Sequence, residues 1–131
     1  MSHLIRVRRI CLAMPEVSER LSHGAPTWWA RKRTFAMFLN NHHNDGHIGV
    51  WAASTPGEQA ALIATSPKTY YRPPYVGVKG WVGIDLDHID DEDLAGHLTD
   101  AWQLVIAGQG KSPAQRKPKA LTRSPAGLVK R

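Results

Sequence analysis

The chain has 131 residues, 42% of them hydrophobic, a single cysteine and a formal net charge of +6. That length makes one domain, with a core large enough to need no disulfide or metal, and the lone Cys11 excludes an intrachain disulfide. The charge is lopsided: residues 108–131 hold seven Lys and Arg and no acid, whereas residues 1–107 hold ten basic and eleven acidic residues. The high pI therefore belongs to the C-terminal stretch, and it carries no claim that the domain itself is basic. No apolar run could span a bilayer. Arg6, Arg8 and Arg9 break any secretory core, so a cytoplasmic location is expected.

Leu4, Val7, Cys11 and Met14 recur every three to four residues, which predicts an amphipathic helix ended by Pro15. Glu16 to Pro26 reads as a loop with at most a short strand. Thr27-Trp28-Trp29 predicts a strand. Thr34–Asn40 and Gly46–Ala52 predict a hairpin around the turn signal Asn44-Asp45-Gly46. Thr55-Pro56-Gly57-Glu58 opens a second helix with a cap, an N1 proline and a capping-box acid, and the helix stops near Pro67. Tyr70 to Tyr75, with Pro73-Pro74, predicts a stiff extended segment. Gly80–Leu86 predicts a strand, and Asp90-Asp91-Glu92-Asp93 starts a last helix with Leu94, Leu98, Ala101 and Val105 on one face. This order predicts an α+β fold, an antiparallel sheet with helices packed on one side. Residues 1–107 form the domain. Residues 108–131, rich in cations and without apolar period, predict a basic disordered tail.

No nucleophile elbow, phosphate loop or zincin motif occurs, so no catalytic residue and no cofactor is assigned. The turn His42-His43-Asn44-Asp45-Gly46-His47 carries zinc-ligand types. Adjacent turn residues splay apart and no second cluster joins them, so it reads as a polar turn without a metal. The acidic run Asp85 to Asp93 reads as a helix cap, without EF-hand spacing. Cys11, on an apolar helix face, reads as a buried inert thiol. One constellation remains. Arg31, Lys32 and Arg33 follow Trp28-Trp29, and Lys68, Arg72 and Lys79 interleave with Tyr70, Tyr71, Tyr75 and Trp81. Cations can neutralise phosphates and aromatic rings can stack bases, so these six cations are the candidate nucleic-acid contacts.

Leu12-Ala13-Met14-Pro15-Glu16-Val17, His23-Gly24-Ala25-Pro26, Arg33-Thr34-Phe35-Ala36, Tyr75-Val76, Gly80-Trp81-Val82 and Ala101-Trp102-Gln103-Leu104-Val105 follow one another in an order and spacing that resemble the MmcQ/YjbR-like family. The resemblance covers about Ile5 to Ala107. It implies a CyaY-like fold described as a double-wing DNA-binding motif. Many members carry a lysine where this chain has Trp51, and the family's phenylalanine-linked lysine is Arg33 here. The CyaY-like fold also suggests iron delivery, which the arginines of the first helix oppose by their charge. The sequence therefore predicts a non-catalytic module that binds DNA weakly and without sequence preference. The alternative is a small-molecule or protein-interaction module using Tyr70 to Trp81, and less so an enzyme. A continuous basic face would favour the first. A deep apolar pocket with converging polar groups would favour the second.

Overall fold

In the computed structural model, which describes residues 2–109, six strands form one antiparallel sheet flanked by three α-helices. The strands are β1 (Val17–Ser22), β2 (Ala25–Ala30), β3 (Arg33–Asn40), β4 (Ile48–Ala52), β5 (Tyr70–Tyr71) and β6 (Val82–Asp85). They lie in the order β1-β2-β3-β4-β6-β5. The helices are α1 (His3–Leu12), α2 (Pro56–Thr65) and α3 (Asp91–Ala107). The predicted tail lies outside the described residues, apart from Gly108 and Gln109 at the end of α3. No helix among the described residues is long and apolar enough to cross a membrane.

Strand alternation divides the sheet into two unlike faces. Trp28, Ala36, Ala52 and Val82 lie side by side in one row, and Phe38, Val50, Ile84 and Tyr70 in the next. These rows meet Leu94, Leu98 and Ala101 of α3 and Val7 and Cys11 of α1 in the core. Thr27, Met37, Trp51, Gly83 and Tyr71 form a row of the opposite parity, turned away from α1 and α3. A register shift between Trp28 and Trp29 brings Phe35 into the core beside Ala36 while Thr34 stays on the other face.

Local chemistry explains the element ends. The Ser2 hydroxyl accepts from Ile5 N–H at 3.2 Å, Thr55 from Glu58 N–H at 3.2 Å, and Asp90 from Asp93 N–H at 2.8 Å. Trp81 is buried where β6 begins, and its carbonyl accepts from the Gln59 side chain of α2 at 2.6 Å. Cys11 is fully buried, and burial pushes its thiol pKa far up, as an inert core thiol requires. Arg6 turns inward rather than to solvent. It donates to Leu86 and Ile89 carbonyls at 2.7 Å each and to Asp91 at 2.7 Å, tying α1 to the start of α3.

Four local expectations need correction. Glu16 to Pro26 holds all of β1 and the start of β2, not a loop. The β1 residues Val-Ser-Glu-Arg-Leu-Ser are mostly polar because β1 is an edge strand, so its apolar signal is weak. The β3–β4 connection is not a tight Asp-Gly hairpin but a seven-residue loop containing a 3-10 turn, His42–Asn44. The extended run from Tyr70 lasts only through Tyr71, and a 3-10 turn, Val76–Lys79, follows. The strand expected from Gly80 begins at Val82, because Gly80 closes that turn at φ 98°.

One histidine couples this fold to pH. The Tyr70 hydroxyl lies 2.7 Å from His97 Nε2, which fits a neutral ring accepting from the phenol. Burial lowers the His97 pKa, and Asp100, Glu58 and Asp93 offset only part of that. Protonation then favours the unfolded chain. Stability is complete above the unfolded histidine value of about 6.5 and falls as pH drops toward the lowered folded pKa. The thermal midpoint should therefore be lower at about pH 5 than at about pH 7.5, and His97→Gln should remove part of that difference. An unchanged slope in the variant would assign the effect to other groups.

Candidate functional site on the open face of the sheet

The face turned away from α1 and α3 carries a pocket of about 590 Å³, within the roughly 300–1,000 Å³ range of small-ligand sites. Met37 and Leu39 of β3, Trp51 of β4 and Ala25 of β2 make its floor. Alternation dictates this: all four belong to the strand parity that the helices leave uncovered. Ser22, His23 and Thr34 line one side, and His42, His43, Tyr75 and Val76 the other.

The walls are held in costly backbone conformations. His23 (φ 53°), His43 (φ 49°) and Tyr75 (φ 63°) all have positive φ and line the pocket, as Glu16 (φ 63°) and Arg31 (φ 57°) do away from it, and at His23 the two-residue β1–β2 turn with Gly24 requires it. Asn41 (φ 55°) and Asn44 (φ 61°) flank the two histidines, and asparagine tolerates that region better than most residues. At Tyr75, ψ is −70° and Val76 N–H donates to the Pro74 carbonyl at 2.6 Å. This is a γ-turn of the rare positive-φ kind. Such strain persists only where surrounding structure imposes it, and it clusters at binding sites. Tyr75 is also 71% exposed, an unusual setting for a strained tyrosine.

Aromatic rings run along this same face, in the pocket and beside it. The His42 ring packs edge-on to Trp51 at 5.1 Å and to Tyr75 at 6.1 Å. Tyr71 lies over Gly49 and Gly83, where any Cβ would collide with its ring or hydroxyl, and it stacks on His47 at 3.9 Å. His47 Nδ1 meets Asp85 at 2.8 Å, and His88 Nδ1 meets the other Asp85 oxygen at 3.2 Å. Burial alone would raise the Asp85 pKa, but bonds from His47, the Asp87 N–H and His88 outweigh it and hold the carboxylate below its ordinary range. Burial raises the Tyr71 pKa, and the nearby Trp51 N–H only moderates that. No good bond joins the two, however: Trp51 Nε1 and the Tyr71 hydroxyl are buried without a partner, as are His42 Nε2 and Trp29 Nε1. Buried polar atoms are normally satisfied. Two of these four belong to residues that line the pocket. Among the described residues, no three His, Cys, Asp or Glu side chains converge as a metal set.

The YjbR family model matches residues 12–104, most of the chain and nearly all of the sheet and α3. The chain belongs to the YjbR family. The crystal structure of Deinococcus radiodurans protein DR2400, with the family domain DUF419, superposes with a TM-score of 0.68, covering 97% of this chain and 94% of that one at 19% identity. This likeness shows a shared fold. No curated protein matches the sequence.

In this YjbR domain the six cations singled out from sequence occupy separate places. Arg31 and Lys32 form the β2–β3 turn, and Arg33 starts β3. Arg31 closes a bidentate pair with Glu16 at 3.0–3.1 Å, which leaves its charge largely matched. Lys32 and Arg33 are exposed and form no ion pair among the described residues. Lys68 stands at the opposite end of the sheet, next to Thr69, whose carbonyl accepts from Asp85 N–H at 2.7 Å. Arg72 and Lys79 lie beyond β5, with the Arg72 stem against Gly77. Three strand spacings of roughly 4.8 Å separate β3 from β5. Arg31, Lys32 and Arg33 are therefore together, and the other three are not with them.

Sequence reasoning passed over the pocket itself. His42 and His43 read as a polar turn, and Trp51 only as a departure from the family lysine. The available signal was Trp51 with Met37 and Leu39, apolar residues of the strand parity opposite Val50, Phe38 and Ala52. Apolar residues on both parities of two neighbouring strands imply that both faces of the sheet are partly covered.

Proposed function

We propose that this YjbR protein is a non-catalytic binding module that takes a small ligand in the pocket on the open face of its sheet. The observation that carries the reading is the pocket wall: Tyr75, exposed and held in a rare γ-turn, stands with His43 over an apolar floor of Met37, Leu39 and Trp51. Strain that contributes no core packing points to a role in recognition. Tyr75 tests it, because the side chain lines the pocket yet is mostly exposed. Tyr75→Ala should leave unfolding free energy within about 0.5 kcal/mol of the parent. It should weaken any pocket ligand roughly tenfold, as loss of an aromatic wall does. Fragment screening by amide NMR supplies the ligand. Shifts confined to the pocket residues support the reading, and shifts elsewhere, untouched by Tyr75→Ala, would refute it.

A second reading is weak, sequence-indifferent DNA binding, as proposed from the six cations. Exposed, unpaired Lys32 and Arg33 favour it, along with the seven cations of residues 111–131. Affinity would then come from phosphates and fall steeply with salt. Titrating duplex DNA with the full chain, with Arg31, Lys32 and Arg33 changed to alanine, and with the seven C-terminal cations changed to glutamine separates domain from tail. No binding by the parent chain at about 50 mM salt, where phosphate contacts are strong, would remove this reading.

A further inference from the structure

We infer that the ligand of the open-face pocket is a small organic acid, a flat apolar body bearing a carboxylate or phosphate. The inference rests on the pocket reading above and adds the chemical class.

The polar side chains of the pocket all carry hydrogen-bond donors. Ser22, Thr34 and Tyr75 have hydroxyls, His23, His42 and His43 have imidazoles, and Trp51 has its indole N–H. None is a carboxylate or a carboxamide. A site so composed leaves a cationic ligand without an acceptor of matching charge and offers an oxyanion several donors. Asp45 and Asp85, the acids that act on the neighbouring Tyr71, are already engaged. Asp45 accepts from the His47 N–H at 2.9 Å, and Asp85 holds His47 and His88. A cation lies on the strands next to the lining, though not in it. Thr34 pairs with Trp29, and the Arg20 guanidinium lies over the Trp29 ring at 4.0 Å.

The rest of the lining selects the body of the ligand. Met37, Leu39, Ala25 and Val76 are apolar, and the Trp51, His42 and Tyr75 rings meet near right angles. A flat ring can pack on the thioether and aliphatic floor with its edge toward those faces. The donors that face the pocket from its rim are the exposed His23, His43 and Tyr75 side chains, while the Trp51 indole N–H is buried beside the Tyr71 hydroxyl.

A matched series on one ring system tests the inference: 1-naphthaleneacetate, 1-naphthyl phosphate, 1-naphthalenemethanol and 1-naphthylmethylammonium, each titrated against the full chain by amide NMR and calorimetry. The two anions should bind at least about tenfold more tightly than the ammonium compound, with the alcohol between them. The tighter of the two anions names the acid group. His43→Leu, at an exposed position of the pocket wall, should weaken the preferred anion roughly fivefold and the alcohol by clearly less. Thr34→Val checks the same point without changing shape. Equal or tighter binding of the ammonium compound, or no preference for the anions over the alcohol, would overturn the acid class while leaving the pocket reading intact. If none of the four shifts the pocket amides at millimolar concentration, the pocket reading fails with it.

Discussion

Trp28→Ala should remove about 3–5 kcal/mol of stability, the range for truncating a buried large aromatic side chain, against a total of roughly 5–15 kcal/mol for a domain of this size. Trp28 is fully buried in the row facing α3, so its removal leaves a cavity that rigid strands on both sides cannot close. A second effect adds to the first. Its indole N–H donates to Glu19 at 3.0 Å, and Glu19 is also clasped by Arg8 at 2.8–3.2 Å. Arg8 holds the Glu19 carboxyl below its ordinary pKa, helped by the Trp28 bond. Trp28→Phe deletes that bond and leaves a smaller cavity than alanine does, so its loss should be the smaller of the two, at about 1.5–3 kcal/mol. Urea unfolding of both variants measures the difference. Equal losses would mean that packing contributes little, and a Trp28→Ala loss below about 1.5 kcal/mol would contradict the buried position.

Gly83→Ala should destabilise by about 1–3 kcal/mol, the usual effect of overpacking. It should also disorganise the candidate site. A Cβ at residue 83 meets the Tyr71 ring head-on, and it is the ring that must move, taking the His47 stack and the surroundings of Trp51 with it. Gly83 has no need of special backbone angles, so close approach alone explains the glycine. Tyr71→Ala made first should make Gly83→Ala nearly neutral, with a coupling of about 1 kcal/mol or more in the double-mutant cycle. Additive losses would mean that the clash lies elsewhere. Ligand affinity at the pocket should fall in Gly83→Ala even where the fold survives, because Trp51 then loses the neighbour that fixes its ring.

Much of the architecture was legible along the chain. The caps at Thr55 and Asp90 and the stripe Leu94, Leu98 and Ala101 are local signals, and each depends only on neighbours within a turn. The β1 strand was not legible, because an edge strand is half solvated and its polar residues resemble a loop. The long β3–β4 loop was hidden by the Asp-Gly turn signal, although Gly46 does adopt φ 82° within it. Tyr70 and Tyr71 illustrate the limit best. Adjacent in sequence, they point to opposite faces, one to His97 under the helices and one to His47 on the open side.

The sequence by itself determined the α+β class, the helix ends, the core stripe of α3 and the family to which the domain belongs, because these rest on periodicity, capping chemistry and ordered local motifs. Only the tertiary structure decided where the histidine turn and the aromatic segment come together. His42, Trp51 and Tyr75 are far apart in the chain, and they meet because β3 and β4 pair in one register and the Tyr75 turn folds back over the same face. It likewise separated Arg31, Lys32 and Arg33 from Lys68, Arg72 and Lys79. Strand order sets which charges share a surface, and strand order depends on pairings between distant residues that no local pattern encodes.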